Sequence, residues 1–210
     1  MPVATLYDVH GNLRALEAVL AEIPDDATIV VGGDVVTGGA EPSGTLEHLR
    51  SLGPRVRWLR GNADRELVPG EHSLAPPGSL DATRAALSDE QIEFLYSLPP
   101  SVQIDDVLYV HASPRNDEDI FTELTPEERI TFLFEGVDAS VIVCGHTHMQ
   151  FERVVAGKRV VNSGSVGMPY EDEPGAYWTL DLEHRRTPYE GATLEASREE
   201  ALSVFTERGL

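Results

Sequence analysis

The chain has one cysteine, Cys144, and one lysine, Lys158, in 210 residues. A single thiol excludes an intrachain disulfide and any site built from clustered thiolates, and it suits a reducing compartment. Positive charge as a whole is scarce: 16 Lys and Arg stand against 36 Asp and Glu, for a formal net charge of −20. Nucleic-acid affinity draws largely on cations that neutralise phosphates, so long DNA or RNA and anionic membrane are poor partners for such a surface. The acidity itself reads as a surface tuned for solubility. No run approaches the ~20 apolar residues needed to span a bilayer. The first strand, Val3 to Tyr7, lacks the basic start and apolar length of a signal peptide. These absences point to a cytoplasmic protein without a membrane partner, and they leave a homo-oligomer open.

What is present is ordinary in bulk: 41% hydrophobic and 25% charged residues describe a globular chain, and its length suits a single domain over residues 1–210. The first half alternates strand and helix signals, which predicts an α/β protein with parallel strands. Val3 to Tyr7, Thr28 to Val31 and Val56 to Leu59 read as strands. Leu13, Leu16, Val19 and Leu20 recur at helical spacing, and Leu46 and Leu49 mark a second helix. Residues 69 to 80, rich in Pro and Gly, read as an irregular loop. Ser88 with Gln91 forms a capping box, and Thr125, Pro126 and Glu128 give cap, first-turn proline and box in one run. Strands are expected at 101–104, 107–111, 140–143, 150–155, 159–162 and 176–180, with hairpins around Asp105-Asp106 and Gly157 and a helix at 193–208.

Five polar runs each follow an apolar strand. They are Asp8-Val9-His10-Gly11-Asn12, Gly33-Asp34, Gly61-Asn62-Ala63-Asp64, His111, and Gly145-His146-Thr147-His148. Carboxyl ends of strands in open α/β sheets converge on one crevice, so these side chains can meet there. Imidazole and carboxylate ligands suit borderline ions such as manganese, iron and zinc. In Asp8-Val9-His10 and His146-Thr147-His148 the outer side chains lie on one side of an extended backbone, so each run offers two ligands to one place. Seven such groups crowd one ion, whereas two ions about 3.5 to 4 Å apart need that many, with one carboxylate shared. Four of the seven histidines fall in these runs. Each run alone is weak, since a lone His is usually a packing residue and Gly-Asn a common turn; the ordered set is specific. Cys144 reads as buried packing, and His48, His72 and His184 as surface residues.

In this order the runs resemble the calcineurin-like metallophosphoesterases, in the branch of small bacterial and archaeal phosphodiesterases. Asn162-Ser163-Gly164-Ser165-Val166-Gly167 resembles that family's closing segment. The resemblance implies a four-layer αββα sandwich of two mixed sheets flanked by helices. It also implies two divalent ions, manganese first, with iron, zinc, nickel or cobalt as alternatives. By the same resemblance Asp8, His10, Asp34 and His148 hold one ion, and Asp34, Asn62, His111 and His146 the other. Two such ions polarise a phosphate and acidify a bridging water to a hydroxide nucleophile. Arg115 is the expected cation for the charge developing on phosphorus, with Arg65 a weaker candidate; either could instead be an ion-pair partner. Many family members carry a general-acid histidine where this chain has Ala63. A positioned acid contributes ~10² to 10⁴-fold, so its absence favours phosphodiesters with good leaving groups, unless His72 substitutes. The expectation is a binuclear phosphodiesterase on small or nucleotide-like diesters. A phosphomonoesterase, a catalytically silent scaffold and a nuclease are its rivals.

Overall fold

Period-two alternation in the strands decides the architecture. In the computed structural model, which describes residues 1–73 and 75–208, β1 (Val3–Leu6) sends Ala4 and Leu6 to one side and is followed by Tyr7 on the other. After α1 (Leu13–Leu20), β2 (Thr28–Val31) does the same, with Ile29 and Val31 on one face and Val30 on the opposite one. Burying both faces of a strand requires a layer on each side.

On one side lie helices. Ala15, Leu16 and Val19 of α1, Leu46 and Leu49 of α2 (Pro42–Ser51) and, past β3 (Val56–Trp58), short α3 (Asn62–Arg65) and α4 (Asp81–Ala85), Leu95 of α5 (Asp89–Ser97) join the Leu6 and Ile29 cluster. On the other side lies a second sheet. It begins with the hairpin β4 (Ser101–Ile104) and β5 (Val107–Val110) and continues after α6 (Glu127–Ile130) with β6 (Val141–Cys144), β7 (Gln150–Val155) and β8 (Lys158–Ser163). Tyr109, Val143 and Val161 meet Tyr7, Val30 and Leu59 between the sheets. Ile142, Cys144 and Val160 point away, onto Ile130 of α6 and Phe134. β9 (Ala176–Leu180) and β10 (Glu183–Thr187) complete the first sheet, and α7 (Arg198–Arg208) ends the described chain.

The orders are β10-β9-β1-β2-β3 and β4-β5-β6-β8-β7. β1, β2 and β3 run parallel, as do β5, β6 and β8; the outer strands β9, β10, β4 and β7 are antiparallel. The result is the αββα sandwich of two mixed sheets. Buried Cys144 packs as the sequence implied. Among the described residues, no helix is long and apolar enough to cross a membrane.

The Ser88–Gln91 capping box is present in full, whereas Thr125 caps no helix: Pro126 holds the N-cap position and Thr125 Oγ1 accepts from Thr122 N. β10 had no signal, because Glu183-His184-Arg185-Arg186 is exposed and carries no apolar alternation. The terminal helix starts at Arg198, five residues later than expected, after the irregular stretch 193–197. Residues 69–80 hold no helix or strand among those described; residue 74 and the last two residues lie outside the description.

Candidate metal centre

Each of the five runs sits where a parallel strand ends, and the loops are laced together by backbone hydrogen bonds. Asp8 N donates to Gly33 O (3.1 Å), His10 N to Asp34 O (2.9 Å), Gly145 N to His111 O (2.9 Å) and Gly167 N to Asp8 O (3.0 Å). The ligand residues do not keep the extended backbone that the two-residue spacing suggested. Asp8, His10, Asp34, His146 and His148 all adopt positive φ, between 49° and 66°, a region costly for residues with a Cβ. The chain turns sharply at each, which folds both members of an Asp-x-His or His-x-His pair inward. Gly61 has no room for a side chain, since a Cβ there would lie 2.1 Å from Asp34 Oδ1; the third run can reach the second only through glycine.

All seven expected ligands come together. Donor atoms of Asp8, His10 and His148 lie within 4.8 Å of one another, and so do those of Asp34, His111 and His146. Asn62 joins the second group, its Oδ1 3.2 Å from His111 Nε2 and its Nδ2 donating to Glu66 Oε1 (2.9 Å). The two groups adjoin: Asp8 Oδ1 is 3.4 Å from His148 Nε2 and 3.9 Å from His111 Nε2. Three imidazoles donate through Nδ1 to backbone carbonyls, His10 to Thr37 (2.5 Å), His111 to Gly32 (2.8 Å) and His148 to Met168 (2.7 Å). A carbonyl only accepts, so each ring turns Nε2 to the centre, the tautomer a metal ligand needs.

Two features of the polypeptide fit cations. Asp8 Oδ1 is buried with no hydrogen-bond donor among the described residues, an arrangement that is unfavourable for a carboxylate unless a positive charge faces it. His10 Nε2 and His148 Nε2 stand 3.1 Å apart although both rings already donate through Nδ1. Titration agrees. Burial alone would lower His148 and His111, but the carboxylates Asp8 and Asp34 respectively outweigh it and raise both, His111 to about 10. His10 is lowered by burial and the neighbouring His148, and His146 falls to about 4 through burial and the charge of His111. Asp34 and Asp8 are held low despite burial, by His111 and His148. In each group the carboxylate favours positive charge on one neighbouring imidazole, the same preference that suits the donor set to a cation.

Arg115 lines a pocket of 280 Å³ that also contains His111, Arg60 and Arg65. Its Nε donates to Asp119 Oδ2 (3.0 Å), its Nη2 pairs with the same carboxylate, and its guanidinium lies 5.1 Å from the Phe132 ring. Arg65 is committed to Asp117 and Glu118, and exposed His72 to Glu118 (3.0 Å). The ion-pair alternative thus describes what both arginines do within the protein. Asn162 donates to Gly145 O and Thr147 Oγ1, and Ser165 Oγ to Asp8 O, so the closing segment braces the ligand loops.

Asp64 stood in its run without a role, and Tyr170 and Arg60 escaped the sequence reading. Asp64 is fully buried and accepts from Asp34 N (2.9 Å), Val35 N (3.0 Å) and Gly61 N (3.0 Å), tying two ligand loops together. Tyr170 stacks on His148 at 4.9 Å. Arg60 presents a buried Nε without a partner among the described residues. Asp64 and Arg60 adjoin Gly61-Asn62, so position beside a ligand run was the available signal; nothing local marks Tyr170.

The sequence model of the calcineurin-like phosphoesterase superfamily domain matches residues 1–185. The chain belongs to that family. An uncharacterised protein of Methanocaldococcus jannaschii is 30% identical over 186 residues, 83% of this chain and 72% of its own length. A symmetrical bis(5'-nucleosyl)-tetraphosphatase of Yersinia pestis is 33% identical over 115 residues, 51% of this chain and 39% of its own; the match spans well under half of that enzyme. A solved metallophosphoesterase from Sphaerobacter thermophilus superposes with a TM-score of 0.74 at 26% identity, over 100% of this chain and 94% of its own. This calcineurin-like phosphoesterase is accordingly a metal-dependent phosphoesterase, with candidate ligand groups at Asp8, His10, His148 and at Asp34, His111, His146.

Proposed function

We propose that this phosphoesterase is a binuclear phosphodiesterase of small or nucleotide-like diesters, working in the cytoplasm with manganese as the ion best suited to its imidazole–carboxylate set. The observation that carries the reading is the adjacency of the two donor groups around Asp8 Oδ1, a buried oxygen without a donor. Asp8, His10 and His148 would hold one ion, Asn62, His111 and His146 the other, and Asp34 would face both: His111, His10 and His146 all act on its charge.

Bound divalent ions supply Lewis acidity to phosphoryl oxygens and acidify a water to a nucleophile near neutral pH. The chain's own residues do the rest. The Nδ1–carbonyl bonds fix ring orientation, Asp64 fixes the spacing of the Asp34 and Asn62 loops, and Arg60, with an unpartnered Nε among the described residues, lines the His111 side, where it would meet charge on the equatorial oxygens; Arg115 would do so only by leaving Asp119. Position 63, buried beside Asn62, is alanine and gives the leaving group no proton. That favours alcohols that depart readily, and the similarity to a tetraphosphatase supports a nucleotide-like substrate. The formal charge of −20 supports small esters over long nucleic acid.

Metal-reconstituted protein assayed with bis-p-nitrophenyl phosphate and p-nitrophenyl phosphate tests this. Faster diester turnover is expected. Monoester preference would make the protein a phosphomonoesterase, and tight metal without turnover of any ester would make it a scaffold.

A further inference from the structure

A second cleft, of 500 Å³, opens beside His10, within the ~300–1,000 Å³ range of small-molecule sites. Gly38 and Gly39 form part of its wall, and its polar side chains include Arg14, Glu41, Thr193 and Glu195. Arg14, Glu41 and Glu195 are exposed, and none makes a side-chain hydrogen bond or ion pair with another described residue. This contrasts with Arg65 and Arg115 across the centre, which are paired with carboxylates.

The uncommitted groups select among occupants. Two carboxylates against one guanidinium leave these side chains with no excess positive charge to hold a second phosphate. An apolar group would cover three charges and satisfy none. A hydroxyl-rich alcohol suits them, because carboxylates accept from O–H groups and guanidinium donates to their oxygens. Thr193 and Glu195 also lie beyond residue 185, where the family match ends.

We propose that the cleft beside His10 binds the polyol portion of a phosphodiester, a ribose or a glycerol, through Glu41, Glu195 and Arg14, and that the segment after residue 185 thereby sets which alcohols are cleaved. This rests on the phosphodiesterase reading above. The test uses full-length, metal-loaded protein and three diesters: p-nitrophenyl adenosine 5'-phosphate, glycerophosphocholine, and bis-p-nitrophenyl phosphate, which has no hydroxyl. Glu195→Ala and Arg14→Gln should raise KM for the ribose or the glycerol diester about 10- to 100-fold, the loss of one charged hydrogen bond. KM for bis-p-nitrophenyl phosphate should stay within twofold, and the diester that responds names the polyol. Exposed Arg129→Gln, remote in sequence on α6, controls for charge and should change nothing. Equal effects on all three diesters, or none on either polyol, overturn the inference. Wild-type protein without turnover of any diester would instead overturn the phosphodiesterase reading. The cleft is then decided on metal-free protein by saturation-transfer NMR with adenosine and glycerophosphocholine: a transfer signal that wild type gives and Glu195→Ala does not upholds it, and no signal from wild type overturns it.

Discussion

Replacing Asp64 with asparagine isolates the device that spaces the two ligand loops. Asp64 Oδ2 accepts from both Asp34 N and Gly61 N, and Oδ1 from Val35 N. The amide can keep its oxygen where two N–H groups converge, and it then points its NH2 at Val35 N–H. One hydrogen bond is lost and two donors face each other in a buried site, a destabilisation of about 1.5–3 kcal/mol. At roughly 2–4 °C per kcal/mol for a chain of this size, the melting temperature should fall by about 3–12 °C. Shifting the Asp34 and Asn62 loops should weaken metal binding about 10- to 100-fold. Calorimetric melting and a manganese titration measure both. The pH dependence gives a second check in metal-free protein. Burial, then the charge of Asp34, raises the Asp64 carboxyl to about 7, against the opposing N–H bonds. Its stabilising contribution is therefore full below the unfolded carboxyl value and is lost as pH rises through about 7. The stability gap between wild type and Asp64→Asn should narrow over that window. A variant with wild-type melting, metal affinity and pH dependence would refute the argument that Asp64 staples the loops.

Metal uptake should release protons. His111, raised to about 10 by Asp34 and Asp8 against its burial, carries a proton at pH 8 that a divalent ion displaces; titration calorimetry in two buffers of different ionisation enthalpy counts it, and zero release would contradict the pairing. Ser88→Ala, which removes the Ser88–Gln91 box on α5, should cost about 1 kcal/mol and leave kcat/KM unchanged, as read by melting and by turnover of bis-p-nitrophenyl phosphate. His146→Gly should raise the melting temperature of metal-free protein by a few degrees, since glycine accepts φ 66° at about 1 kcal/mol less strain, while the further gain on adding manganese shrinks; His146→Ala keeps the strained backbone and should show no such rise.

The strands were legible because they alternate: Ala4 and Leu6 against Tyr7, and Ile142 and Cys144 against Val143, state a two-faced burial that the packing fulfils. The convergence of the seven candidate side chains was legible because each follows such a strand. β10 was not, since an exposed edge strand is held by its ladder to β9 and not by apolar side chains. The left-handed turns at the ligands were also hidden. Asp and His tolerate positive φ better than branched residues do, yet nothing in a single sequence tells a strained His from a relaxed one. Tyr170 was invisible for a third reason: its stacking on His148 depends on where α7 and the stretch before it bring the chain back, through Phe205 at 5.9 Å and the bridge to Ala196.

The five left-handed ligand residues weigh heavily in the energetics. At about 1–3 kcal/mol each, they total about 5–15 kcal/mol, as much as the whole net stability of a typical domain. Packing is served at the same turn, where the flanking Val9 is fully buried. What holds the strain is a shell of bonds that a relaxed loop would forfeit: Ser165 Oγ and Gly167 N to Asp8 O, His146 N to Asp8 Oδ2, and Tyr170 N to His148 O. Each of those bonds lands on a ligand residue itself. The closing segment and the sheet ends therefore act together to keep imidazole and carboxylate side chains converged against their own backbone preference. That convergence sets like groups side by side, two imidazole nitrogens 3.1 Å apart and a carboxylate oxygen without a donor. Under the proposed function, cations facing these groups would offset the desolvation that the buried Asp8 oxygen carries.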